Sequence, residues 1–208
     1  MKGKDAAAFG VISEAGKATI ATKFGGVHQY SVEEVSTYGK LLNYMLRDDE
    51  DAKCRIPINI EDTEDIFHAF DNGILMCKLL LQIDPDCIDS RAINTKTTMN
   101  AFQVKENLQM GIAACKGLGV KMIGMGAQDF IAKTPHLVLT FVWQSLRLCL
   151  SKRLNLKDTP EIIRLANEGE DLKDLNKLKP EDLLIRWINF HLKEAGQDRR
   201  VSNLGADL

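Results

Sequence analysis

Residues 134–150 constrain the fold more than any other stretch. Thr134 and Pro135 read as an N-cap followed by proline at the first helical position. Behind them Leu137, Val138, Leu139, Phe141, Val142, Trp143, Leu146, Leu148, Cys149 and Leu150 cover nearly every face of the helix that follows. A helix with so little polar surface belongs at the centre of a bundle. Its polar residues are the exceptions: His136, Thr140, Gln144, Arg147 and Ser151 recur at intervals of four, four, three and four, a narrow stripe along one face. What this helix shows to solvent or a partner, it shows there.

A second apolar helix is implied after Pro180, where Leu183, Leu184, Ile185, Trp187, Ile188, Phe190 and Leu192 crowd into ten positions. No later residues suffice to cover it, so the reading is one finished helical module and the opening of a second. The expected organisation is a flexible arm over residues 1–29, a helical domain over 30–155, a charged connector over 156–179, and the start of a second domain over 180–208. Trp143 and Trp187 are expected to pack inside rather than to make contacts.

Within the first domain, Ser31 and Glu34 have the spacing of a capping box, and Val35, Tyr38, Leu41, Leu42 and Met45 recur with helical period. The acidic run 48–51 ends that helix and is read as a solvated loop, because it lacks the glycine and closing glutamate of a calcium loop. Proline keeps Ile56-Pro57-Ile58 extended. Short helices follow at about 65–70 and 71–81, the latter stopped by Asp84-Pro85. A longer helix over about 101–116 turns Phe102, Leu108, Ile112 and Ala113 to the core, and Gly117, Gly119, Gly124 and Gly126 then mark tight turns. No strand pair is found, and the whole chain is read as all-α.

Chemistry is scarce. A formal net charge of -2 argues against a general nucleic-acid binder, which needs a dominant basic field. No apolar run reaches the ~20 residues of a membrane-spanning helix. The cysteines, five in number and never in a CxxC spacing, read as reduced thiols, with Cys77 and Cys149 as core residues. His28, His68, His136 and His191 form no local metal pair. Gly10 to Lys17 miscounts the phosphate loop by one residue and has Ala18 where the magnesium ligand belongs. The expectation is a protein without enzymatic activity, cofactor or metal.

Specific motifs go further. Tyr30-Ser31 with Glu33-Glu34, Ile56-Pro57, Asp65-Ile66-Phe67 leading to Asp71-Asn72-Gly73-Ile74, and Leu75-Met76-Cys77-Lys78 stand in an order that continues through Ile88-Asp89-Ser90-Arg91-Ala92-Ile93-Asn94, Glu106-Asn107-Leu108, Gly126-Ala127-Gln128-Asp129 and Pro135-His136-Leu137-Val138-Leu139 with Trp143-Gln144. In this order the chain resembles the first calponin-homology (CH) domain of the fimbrin (plastin) family of actin cross-linking and bundling proteins. Residues 183–192 are similar to the opening helix of the family's second CH domain. The tryptophan of the family's first helix is Leu42 here, and the EF-hands that precede this region in the family have no counterpart in residues 1–29.

The resemblance implies a CH helical bundle with a central apolar helix, located in the cytoplasm at the cytoskeleton. It implies filamentous-actin binding through the first helix, the polar edge of the long apolar helix and the start of the second domain. Carried onto this chain, the residues are Glu34, Tyr38, Lys133, His136, Thr140, Gln144, Arg147, Lys152, Arg186 and His191. The alternative is a structural CH scaffold in a microtubule-based, ciliary or axonemal assembly, for which the loss of the first-helix tryptophan speaks.

Overall fold

A computed structural model describes residues 11–12, 17–21, 27–153, 159–167 and 169–203, in two compact units, Met1–Ser145 and Leu146–Leu208. The first opens with a small antiparallel sheet, β1 (Val11–Ile12), β2 (Lys17–Ala21) and β3 (Val27–Ser31), in sequence order. Val11 lies opposite Thr19, and Lys17 opposite Ser31. The expectation of no strand pair therefore fails where residues 1–29 are described; the remainder of that arm lies outside the described residues. Strands this short, rich in Lys, Ala, Thr and Ser, carry little of the alternation or bulk that marks a strand.

The rest of this unit is helical. α1 (Val32–Leu46) starts directly after β3. Ser31 is its N-cap residue but makes no side-chain cap bond. Its backbone is committed to the ladder opposite Lys17, and Glu34 Oε1 instead accepts the Tyr38 hydroxyl at 2.6 Å. After α1, Asp49 Oδ1 accepts the backbone N–H groups of Asp51 and Ala52. The Lys78 ammonium, on a residue only 8% exposed, lies 2.5 Å from Asp51 Oδ2 and 3.5 Å from Asp49 Oδ1. Burial alone would lower the Lys78 pKa, but the hydrogen bond and charge of Asp51, with the charge of Asp49, hold it above its ordinary value. The acidic run is thus the counter-charge of a buried cation, not a merely solvated loop. Beyond it the Ile56–Pro57 peptide is cis, and Asn43 pairs with both backbone groups of Ile58, at 2.7 and 2.9 Å.

α2 (Asp65–Ala69) leads to α3 (Ile74–Ile83), which is buried without a break from Ile74 to Leu80. The sequence reading puts the helix after Pro135 at the centre; burial is more complete in α3. α4 (Ala101–Leu118) begins at an Asn100–Gln103 capping box and turns Asn107, Leu108, Gly111, Ala114 and Cys115 inward. Of the four residues expected inside, Leu108 alone is fully buried, and Phe102 is 69% exposed. The helix is weakly amphipathic, so the apolar period admits two faces, and Gly111 with Asn107 decides between them.

α4 approaches α3 where side chains are missing. Gly73, at φ 78°, would put a Cβ 2.7 Å from Asn107 Cβ and 2.8 Å from the Leu108 nitrogen, and a Cβ on Gly111 would run into the Met76 thioether. Asn107, fully buried, donates to the carbonyls of Asn72 and Asn94 and accepts the Asn94 N–H. α5 (Ala127–Ile131) and α6 (Pro135–Arg153) complete the set. Phe141 meets Phe70 and Phe130 edge-on, each at 5.6 Å between ring centroids. Cys77, Cys115 and Cys149 are buried, and burial pushes the Cys77 and Cys115 thiols up to about 12.

The second unit contains a 3-10 turn (Pro160–Leu165), α7 (Leu172–Lys177) and α8 (Pro180–Glu194). Ile162, Leu165, Leu175 and Leu183 form its core, with Ala166, Leu178 and Phe190 packed against them. Residues of the stretch read as a connector thus pack against Leu183 and Phe190 of the helix read as uncovered. The Asn189 side chain pairs with both backbone groups of Val201 at 2.8 Å. No helix among the described residues is long and apolar enough to cross a membrane.

Two glycines of the first unit separate conformational freedom from close approach. Gly73→Ala must both adopt a left-handed backbone and overlap Asn107, and is expected to destabilise by about 3 kcal/mol or more. Gly117, inside α4 with nothing within 4 Å of its Cβ position, should give a gain of roughly 0.5–1 kcal/mol as Gly117→Ala. Urea denaturation of the two variants measures both.

Candidate interaction surface

In the first unit, α1 carries Glu34 and Tyr38 one turn apart. Glu34 is exposed, but Tyr38 is buried, and burial followed by its bond to Glu34 raises its pKa. Tyr38 therefore orients the Glu34 carboxylate and offers little surface of its own. Trp143 and Thr140 are the exposed residues of α6 in this unit, Trp143 at 38%. The expectation that Trp143 packs inside is corrected: the core face of α6 is taken by Val138, Leu139, Phe141, Val142 and Ser145, and a residue at 143 falls between their turns.

The polar stripe is real as a helix face, but its members differ. The Thr140 hydroxyl donates to the His136 carbonyl at 2.7 Å. Gln144 accepts the Lys121 N–H at 2.9 Å and donates to the Lys121 carbonyl at 3.0 Å. That clamp fixes the loop whose tip, Ile123, is 82% exposed. His136 is half-buried in the first turn.

Lys133 sits in the turn between α5 and α6. The Ala132, Lys133 and Thr134 N–H groups donate to the carbonyls of Gln128, Phe130 and Asp129 at 2.8, 3.0 and 2.9 Å. This closing pattern needs a left-handed residue at 133, and Lys133 takes φ 56° where glycine is the usual choice. Its ammonium lies 2.9 Å from His68 Nδ1 and 3.8 Å from Asp71 Oδ2. Asp71 also holds Arg55 at 2.6 Å, so a carboxylate with two cations anchors this corner.

The second unit holds the other candidates. Arg147 pairs with Glu181, and Lys152 and Leu150 are exposed on α6. Arg186 grips Glu170 through two nitrogens at 2.5 and 3.0 Å. Those hydrogen bonds, helped by the Asn167 N–H, pull the Glu170 carboxyl down to about 2. Arg186 is therefore chiefly a brace between α8 and the preceding segment. His191 is exposed and contacts Trp187 edge-on at 4.5 Å. Trp187, expected inside, is 40% exposed because α8 turns Leu183 and Phe190 into the cluster instead. Among the described residues no group of His, Cys, Asp and Glu is placed to hold a metal ion.

Residues 41–150 match the Calponin homology (CH) domain family model. The chain is 39% identical over 199 residues to fimbrin of Dictyostelium discoideum, covering 96% of this chain and 32% of that protein. It is 37% identical to Plastin-1 of Homo sapiens, covering 96% and 31%. It thus spans about a third of the length of the curated relatives it matches. Among solved structures it is similar to the actin-crosslinking core of Schizosaccharomyces pombe fimbrin, with a TM-score of 0.63 and 32% identity over 86% of this chain and 35% of that one.

Two measurements probe this geometry. Lys133→Gly relieves the left-handed strain while Asp71 keeps Arg55, and is expected to raise the first unit's stability by roughly 1 kcal/mol in chemical denaturation. Glu170 has a carboxyl depressed in the folded state, so its contribution is present above its ordinary value of 4.5 and is lost as pH falls toward about 2. Acid unfolding of Glu170→Gln, followed by circular dichroism, should be less steep across that window than that of the unsubstituted chain.

Proposed function

Because the chain belongs to the calponin homology domain family, we propose that it binds filamentous actin as a single filament-binding module of a fimbrin-like cross-linker, at the cytoskeleton in the cytoplasm. The observation that carries this reading is the exposed Trp143 beside Thr140, on the side of α6 away from Val138, Phe141, Val142 and Ser145, which are buried. An aromatic anchor ringed by polar groups is what a hot spot requires, and no catalytic group is needed. Similarity to the fimbrin actin-crosslinking core supports the choice of partner. None of the relatives reported above bears a name that speaks for the microtubule or axonemal alternative.

The ten residues carried over from the resemblance divide by role in this proposal. Glu34, Lys133, His136, Thr140, Arg147, Lys152 and His191 offer polar or charged atoms to a filament. Tyr38, Gln144 and Arg186 act through the group each holds: the Glu34 carboxylate, the Lys121 loop and the Glu170 segment. Trp143, which sequence reasoning set aside, joins them as the apolar anchor.

High-speed co-sedimentation with filamentous actin at low salt tests the reading. The chain is expected to pellet with filaments at micromolar concentration, and Trp143→Ala to weaken that binding at least about tenfold, since a buried hot-spot aromatic is worth ~2 kcal/mol or more. With one filament site it should leave filaments unbundled at low speed. Retention in the supernatant at tens of micromolar, or pelleting with microtubules instead, would overturn it.

A further inference from the structure

The face of α4 opposite its core side is largely exposed. Phe102, Lys105, Gln109, Ile112, Ala113 and Lys116 recur on it at helical intervals. Together with α5 this face bounds an open cleft of about 700 Å³, wholly within the first unit. Its apolar lining is Ile112, Ala113, Ala127 and Ile131, with Ile131 37% exposed. Lys105 and Lys116, both exposed, line it as well. At 1.5 Å per residue their positions lie about 16 Å apart along the axis, three helical turns.

The lining of the cleft holds two lysines and no carboxylate, although the whole chain is not basic. The nearest carboxylates stand outside the lining: Glu106 Oε2 accepts the Asn94 amide at 3.3 Å, and Asp129 Oδ2 accepts the N–H of Gly126 at 2.8 Å. Neither Lys105 nor Lys116 has an ion-pair partner among the described residues. The net charge of -2 for the chain makes two unpaired lysines flanking one apolar trough a local feature. Phe102, 69% exposed one turn before Lys105, extends the apolar surface beyond that lining.

We propose that this cleft docks an acidic amphipathic helix of a partner protein. The bound helix lays its apolar stripe along Ile112, Ala113 and Ile131 and places carboxylates near Lys105 and Lys116. An apolar lining with two cations suits this occupant better than nucleic acid, which would need a basic field continued along its backbone. The site is independent of α6, so it could be occupied while the proposed filament surface is in use.

The probe is a fluorescein-labelled synthetic helix of about 18 residues, with leucines at i, i+4 and i+7 and glutamates flanking them three turns apart, titrated into the full chain. A second peptide replaces the glutamates with lysines. The acidic peptide is expected to bind, to shift the amide resonances of Gln109, Ala113, Gln128 and Ile131, and to lose at least about tenfold in affinity on Lys105→Glu with Lys116→Glu, as rim charge pairs govern such recognition. Ile131→Gln, which leaves the charge intact, should weaken it as well. Equal binding of both peptides, resonance shifts mapping elsewhere, or no binding at about 1 mM would overturn the proposal. Because the double lysine variant is expected to pellet with actin filaments as the unsubstituted chain does, failure here is distinguishable from failure of the filament reading.

Discussion

The contact between Asn107 and the residues around Gly73 is the constraint on which the first unit rests. A fully buried side-chain amide holds one N–H and two carbonyls of segments 35 and 13 residues away in sequence. The carbonyl of Asn72, a buried residue, would otherwise be desolvated without a partner, at about 1–3 kcal/mol. The amide reaches these groups only because position 73 has no side chain and accepts a left-handed backbone. α3 is thereby pressed against α4, Met76 against Gly111, and the largely apolar α3 acquires a fixed register that apolar packing alone would leave loose.

The candidate surface follows from this arrangement by subtraction. With α3 filling the centre, α6 need bury only one side, and the ring of Phe141 fits between Phe70 and Phe130. Thr140 and Trp143 are left outside. The charged groups nearby are mostly held in place: Lys133 by His68 and Asp71, Glu34 by Tyr38. Side chains ordered before a partner arrives lose less freedom on binding.

Much of this was legible from residue order, and the failures are instructive. Pro135 and Pro180 announce helix starts that the backbone bears out, because a missing N–H and a fixed φ are local properties. The motifs Asp71-Asn72-Gly73 and Glu106-Asn107-Leu108 were both visible, yet nothing in a linear reading says that they touch. Phe102 and Trp143 were placed inside because hydrophobicity reports preference, whereas exposure is decided by which of two apolar faces meets a glycine or a ring. Ser31 does stand at the N-cap, but the capping box its spacing suggested does not form, and Glu34 is held by Tyr38 instead. Lys78 was visible only as a member of the Leu75-Met76-Cys77-Lys78 motif, with no signal that two aspartates of a preceding loop would travel to meet it.

The Gln144 clamp has one more implication. It grasps Lys121 by the amide and carbonyl that every non-proline residue possesses, so its grip is blind to the identity of the side chains on the loop. Lys121, Met122 and Ile123 are thus at liberty to change in character without loosening that attachment, while Gly124, at φ 70°, and the glutamine itself are not. The fold has set aside a tethered but chemically unwritten tip, with Ile123 as its present occupant.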